Sequence, residues 1–288
     1  MTGKFAYIQT ALPGINIKIY DTFRYRLILL FQNLLYFSKK KNRMYLESIG
    51  KYVLMLKQVF RRPQKSKIFW ENYFREVDDL GIKSIGLVSF ISFFIGGVVT
   101  IQTARNLSNP LIDKLYIGYA TLKSIILEFS PTFISIILAG IVGSYIASTI
   151  GTMRISEQID ALDIMGVNSL NYLVLPKLLA AVTFYPFLIT ISMFLGVLGG
   201  WVAGNLTGMV LTIDYLKGIR YDFEPFDITY ALIKTVVFAF FIATIPSYFG
   251  YYVKGGSLEV GRASTQAVIW TSVTIIVFNY ILTQLLLS

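Results

Sequence analysis

From Ile82 to Leu287 the chain is a succession of apolar runs, several of 20 residues or more, parted by short polar stretches. About 20 consecutive apolar residues is the length of helix that crosses the hydrocarbon of a bilayer. Such runs therefore predict an all-α integral membrane protein with about five transmembrane helices, at about Ile82–Ala104, Tyr119–Ile150, Tyr172–Met209, Ile228–Val253 and Ala263–Leu287. Charge content agrees: 15% of residues are charged, against roughly 25% in soluble domains. The third run is far longer than one crossing needs; a break at Pro186 would make six spans, and five is the expectation. A polar outer loop, "IDYLKGIRYDFEPFD", precedes the fourth span, and "KGGSLEVGR" reads as a tight turn before the fifth.

The chain contains no cysteine and no histidine. That excludes disulfides, thiolate or imidazole metal sites, cysteine nucleophiles and histidine acid–base catalysis. No nucleophile–base pair or metal set is visible either, which counts against an intramembrane enzyme. The net charge is +10, and residues 1–81 hold 15 of the 26 Lys and Arg but only 6 of the 16 Asp and Glu. Basic residues ahead of the first span place the N-terminus in the cytoplasm by the positive-inside rule. Because they alternate with apolar and aromatic residues, they fit anionic lipid headgroups and not nucleic acid. Residues 1–43 hold one short apolar run, "YRLILLFQNLLYF", read as a peripheral anchor or as an extension upstream of a start at Met44. Residues 44–81 form an interfacial region: Ile49, Val53, Leu56 and Phe60 recur at helical spacing with Lys51, Lys57 and Arg61 opposite, and Pro63 interrupts the helix.

Two kinds of feature stand out within the runs. Ala139, Gly143 and Ala147, Gly140, Ser144 and Ser148, and Gly196, Gly200, Gly204 and Gly208 recur every four residues. Small residues at that spacing let helix backbones approach closely, and they mark packing and not chemistry. Glu128 and Lys234 are charges within or near the ends of spans, where a lone charge costs at least about 2.5–3.5 kcal/mol. Pro131 follows Glu128 and frees a backbone carbonyl beside it. Either charge snorkels to an interface, or the two line a polar pocket or pair with each other; Asp227 and Arg262 are further candidates for that role.

Between the second and third runs lies "GTMRISEQIDALDIMGVN". Ile155, Ile159 and Leu162 share one helical face, with Arg154, Glu157, Gln158, Asp160, Asp163 and Met165 among the residues around it. Gly151 punctuates entry and Gly166 is the expected C-terminal cap, giving a helix at about 152–166. Three acids beside one arginine do not suit an anionic membrane surface, so the expected use is docking into a groove on a partner. A motor, if there is one, is in another chain. The phosphate-cradling G-x-x-x-x-G-K-[ST] loop is missing, and "GIKS" at Gly81–Ser84 lacks its first glycine.

"LEFSPTFISIILAGIVGSYIASTIGTMRISEQIDALDIMGVNSLNYLVLPKLLA" (Leu127–Ala180), "TYALIKTVVFAF" and "GYYVKGGSLEVGRAST" together resemble the MlaE family, in order and spacing, within a similarity over about residues 44–288. These are permease subunits of bacterial lipid-transporting ABC systems that work with MCE-domain proteins. The resemblance implies five spans with an N-terminal interfacial helix, a homodimer in the inner membrane, a cytoplasmic ATPase subunit that binds the ATP, a periplasmic MCE-domain protein, and phospholipid as cargo. It makes the 152–166 helix the coupling helix and puts Glu128, Asp227, Lys234 and Arg262 around the lipid path. The chain departs from the family's pattern at Ile141, often Arg or Lys, and at Thr149, often Glu. The competing reading is a secondary transporter or channel using Glu128 and Lys234 as an ion relay, which would need no docking helix.

Overall fold

A computed structural model of the chain describes residues 47–61, 66–107, 109 and 113–287. The expectations for residues 1–43, Met44 and Pro63 lie outside these. Residues to Leu54 and residues from Met55 form two compact units. In the first, the described residues are helical and carry a Lys51–Glu47 pair at 2.8 Å, one turn apart. They begin helix α1 (47–59). Its residues Met55 and Val59 belong to the second unit and are fully buried there.

Every regular element among the described residues is helical. After α1 come α2 (Ser66–Glu76), a π-helical turn π1 (Val77–Ile82) and α3 (Lys83–Asn106), which run on without interruption. Helix α4 (Leu115–Ser124), the turn π2 (Ile125–Phe133) and α5 (Ile134–Ile155) form a second continuous rod. Then follow α6 (Gln158–Ile164), α7 (Ser169–Leu206), α8 (Thr212–Tyr221), α9 (Pro225–Tyr251) and α10 (Ser257–Leu287). Five of these rods are long and apolar enough to cross a membrane: Lys67–Asn106, Leu115–Ile155, Ser169–Leu206, Pro225–Tyr251 and Ser257–Leu286. The first starts well ahead of Ile82, so the second half of the interfacial region is one helix with the first span. The third is a single helix of 38 residues through both Pro176 and Pro186, about 57 Å long at 1.5 Å per residue. There is no sixth span at Pro186. Two stretches read as loops contain helix: α8 fills most of the outer loop, and α10 already begins at Ser257.

The bundle is organised by α7, which packs on α3 and α9, while α9 also packs on α5 and α10, and α8 on α4. Glycines set the α3–α7 crossing. A Cβ at Gly96 would fall on the Gly196 carbonyl, and one at Gly199 on the Phe93 carbonyl, with no room for either. Gly200 faces the Thr100 and Tyr215 hydroxyls. The sequence ladder thus holds for Gly196, Gly200 and Gly204, whereas Gly208 lies past the end of α7 at φ +65° and closes the turn to α8. On α5, Ala139 and Ala147 are buried and Gly143 meets Pro246, while nothing stands over Gly140. Hydroxyls add cross-links: Ser92 bonds Ser192 at 2.8 Å, and Ser192 bonds Ser130 at 3.1 Å, joining α3, α7 and π2. Helix α8 is seated by Tyr215, whose hydroxyl donates to the Val197 carbonyl at 3.0 Å and whose phenol burial pushes up to about 12.

The close crossing gives a test. Gly96→Ala and Gly199→Ala drive a methyl into backbone that cannot step aside, at a cost of about 1–3 kcal/mol or more. Both variants should melt well below wild type in detergent. Gly86→Ala, with nothing within 4 Å of its Cβ, should melt at or above it; equal melting of all three would refute the crossing.

Candidate functional site

Charge enters the bundle at π2. Pro131, which has no N–H, lies within this turn, and Lys234 of α9 donates to the Leu127 carbonyl at 3.3 Å. The same ammonium meets Glu128 Oε1 at 2.8 Å and lies 4.3 Å from the centre of the Tyr230 ring. Glu128 Oε2 accepts from Thr132 at 3.1 Å and from Asn279 at 3.0 Å, and the Thr283 hydroxyl lies 3.5 Å from Oε1. Thr132 is also 3.0 Å from Asn279 Oδ1, and Tyr230 shares a hydrogen bond with Thr283 at 2.9 Å. Three rods, π2, α9 and α10, thus meet on one carboxylate. Its two sides differ: the Lys234 side chain is 0% exposed and that of Glu128 42%.

Asp227, seven residues before Lys234, pairs with Lys123 at 2.7 Å. The sequence reading missed Lys123, although a lysine inside the run "YATLKSIILEF" was signal enough. Arg262 is not part of this group. It bonds Glu259 at 2.6 Å in the first turns of α10, 17 residues before Asn279 and so about 25 Å along the helix. At the Arg262 end of the bundle sits a second set that the sequence reading did not find. Lys177 of α7 pairs with Glu76 of α2, both enclosed, and Tyr145 donates to Asp79, which pairs with Lys83. Ile141 and Thr149 flank Tyr145 on the less buried side of α5.

The polar stretch after α5 is arranged differently from its reading. Helix α5 runs through Gly151, which packs against Val260, and stops at Ile155. The break is at Glu157, whose φ of +60° is left-handed and costs on the order of 1 kcal/mol for a residue with a Cβ. Gly166, at φ +76°, is the C-terminal cap as expected: its N–H reaches the Asp163 carbonyl and that of Val167 the Leu162 carbonyl. Helix α6 is therefore only Gln158–Ile164. Ile159 is fully buried and Ile155 and Leu162 half-buried, so the apolar face expected to meet a partner is turned to its own chain. The apolar groups left open are Ile164, 88% exposed, and Met165, 68% exposed, beside Glu157, Gln158, Asp160 and Asp163. Arg154 braces the turn: it bonds Asp160 at 2.6 Å and stacks over Tyr251 of α9 at 5.7 Å.

Two asparagines join this turn to α1. Asn168 caps α7, its Oδ1 accepting from the Asn171 N–H at 3.3 Å. Its amide nitrogen donates to the Gln58 and Arg61 carbonyls at 3.0 and 2.7 Å, and Asn171 donates to the Val59 carbonyl at 2.5 Å. The end of α1, the end of α6 and the start of α7 share one joint.

Residues 73–285 match the family described as Permease MlaE. A probable ABC transporter permease protein of Rickettsia bellii is 33% identical over 83% of this chain and 92% of its own length. A probable ABC transporter permease protein of Synechocystis is 30% identical over 80% of this chain and 87% of its own. The chloroplastic protein trigalactosyldiacylglycerol 1 of Arabidopsis thaliana is 30% identical over 79% of this chain and 65% of its own length.

Asn168→Asp separates the two jobs of the joint. It keeps the capping oxygen but loses both donors and sets a carboxylate against two carbonyls, an expected loss of about 1–3 kcal/mol. Trypsin should then cut after Arg61 faster than in wild type, while Asn168→Ala, which loses the cap as well, should melt lowest. Unchanged cleavage in Asn168→Asp would mean that the amide does not hold α1.

Proposed function

This chain belongs to the MlaE permease family, and we propose that it is the membrane subunit of an ABC transporter that moves phospholipid between the bacterial inner membrane and the cell envelope. The observation that carries the reading is α6: a seven-residue helix, fixed at both ends by left-handed residues, with an open Ile164–Met165 tip ringed by acids. An exposed apolar tip of that kind has no use at a water interface unless a protein groove receives it. Energy would come from a separate cytoplasmic ATPase subunit, since the chain has no phosphate-cradling loop of its own. The names of the Rickettsia and Synechocystis relatives support the ATPase; the name of the Arabidopsis relative, that of a glycolipid, supports the lipid.

The basic N-terminal region orients the chain with its N-terminus in the cytoplasm. Helix α6 and the Tyr252–Gly256 turn then face the ATPase, and α8 faces the envelope and an MCE-domain protein. A lipid would lie between two copies of the chain. The crevice within one protomer, between Ser92, Ser130, Ser192 and Gly196, has room for about one water. As ATP binding draws the two α6 helices together, α5 and α7 move with them through Arg154 and Asn168. Glu128, Lys234 and Asp227 stand on the path at the envelope end. An ion relay through Glu128 and Lys234 leaves α6 without a purpose, and the ABC transporter permease names of the relatives count against it.

The test is co-purification in mild detergent. Wild type should bring down an ATPase and phospholipid. Ile164→Glu or Met165→Glu should lose the ATPase by roughly 10- to 100-fold, the worth of one buried aliphatic side chain, with melting unchanged. A wild type that brings down no ATPase, or variants that keep it, would sink the reading.

A further inference from the structure

The Glu128–Lys234 pair is lopsided. Lys234 is wholly enclosed by Glu128, the Leu127 carbonyl and the Tyr230 ring, so nothing outside the protein can touch its ammonium. Glu128 neutralises it from the open side, with 42% of its side chain uncovered. The pair is a dipole whose negative end points out. The donors beside Glu128 are already used: Thr132 and Asn279 on its Oε2, and Thr283 on its own carbonyl partner Asn279. The Asn279 Oδ1 beside them is one more acceptor.

Depth makes this open carboxylate costly. Lys234 is nine residues into α9, about 14 Å along a helix of about 40 Å. With α9 centred on a hydrocarbon core of about 30 Å, the pair lies roughly 9 Å inside it. A carboxylate there cannot face acyl chains. It needs a cation or a donor on its open side. Phe129 and Phe133, stacked at 5.0 Å along the same turn, add ring faces that also favour positive charge.

We propose that the open side of Glu128 receives the ammonium of a phospholipid headgroup, so that the path selects ammonium-bearing zwitterionic lipids over purely anionic ones. This rests on the permease reading above and deepens it by naming the headgroup class. A headgroup without an ammonium, even a glycerol one with hydroxyl donors, would bring a net negative charge against a carboxylate whose counter-charge is sealed behind it. An ammonium meets the carboxylate and the Asn279 oxygen instead.

The experiment places the permease with its ATPase in nanodiscs of equal parts phosphatidylethanolamine and phosphatidylglycerol, strips loose lipid with detergent, and weighs the retained lipids by mass spectrometry. Wild type should retain ethanolamine lipid several-fold over glycerol lipid. Glu128→Gln should return the ratio to that of the bulk, and Glu128→Asp should keep the preference. Phosphatidylcholine in place of phosphatidylethanolamine should also win, because the charge is what selects. Equal retention of both headgroups by wild type, or a preference that survives Glu128→Gln, overturns the inference. If that variant does not fold, the wild-type ratio decides alone. Retention of no phospholipid of either class would overturn the permease reading too, which separates the two failures.

Discussion

A charge taken into an apolar rod must find its partner on another rod, and this one constraint fixes much of the bundle. Lys123 and Glu128 lie five residues apart on the α4–π2 rod; Asp227 and Lys234 lie seven apart on α9. The signs are crossed, with the cation nearer the start of one rod and the acid nearer the start of the other. Sliding α9 until Asp227 stood beside Glu128 would set acid against acid, so the two pairs hold α9 in a single register. Removing Glu128 would leave the enclosed Lys234 ammonium uncompensated, which costs about 3–5 kcal/mol, more than forming the pair contributes. At the far end, Lys177 and Glu76 tie α7 to α2 in the same way.

The uncharged contacts follow from the same solvent. Hydrocarbon gives helices no reason to hide apolar surface from one another, so association depends on close backbone contact and hydroxyl bonds. Gly96, Gly196 and Gly199 supply the first, and the Ser92–Ser192–Ser130 chain the second. The π2 turn belongs with them. Its wider winding accommodates Pro131 and leaves Glu128 and the Leu127 carbonyl together in reach of Lys234; irregular turns of this kind are frequent at functional sites.

What the sequence made legible was whatever depends on neighbours along the chain: five apolar rods, the small-residue spacing at Gly196, Gly200 and Gly204, the cap at Gly166, and the oddness of Glu128 and Lys234. Facing was not legible. Periodicity groups Ile155, Ile159 and Leu162 on one face of the polar stretch after α5, but an apolar face suits a partner and the protein's own core equally, and here Ile159 is in the core. Distance was not legible either. Arg262 looked like Asp227, a charge near the end of a span, yet it sits at the opposite end of the bundle. Glu76 and Lys177 pair across 101 residues, and Asn168 holds α1 across 110. Glu157 was expected within the 152–166 helix, among the residues around its docking face; only the backbone shows it as the left-handed corner between α5 and α6.

The two prolines of α7 divide that helix mechanically. Pro176 and Pro186 each delete one backbone hydrogen bond, at the Tyr172 and Val182 carbonyls. Both fall in the half that begins at the Asn168 joint. The other half lies backbone against backbone on α3 at Gly196 and Gly199, where sideways movement would mean collision. Bending is therefore cheapest next to α6 and dearest where α7 crosses α3. A displacement at the joint would therefore be taken up first as curvature in the first half of α7, before it reached the crossing with α3.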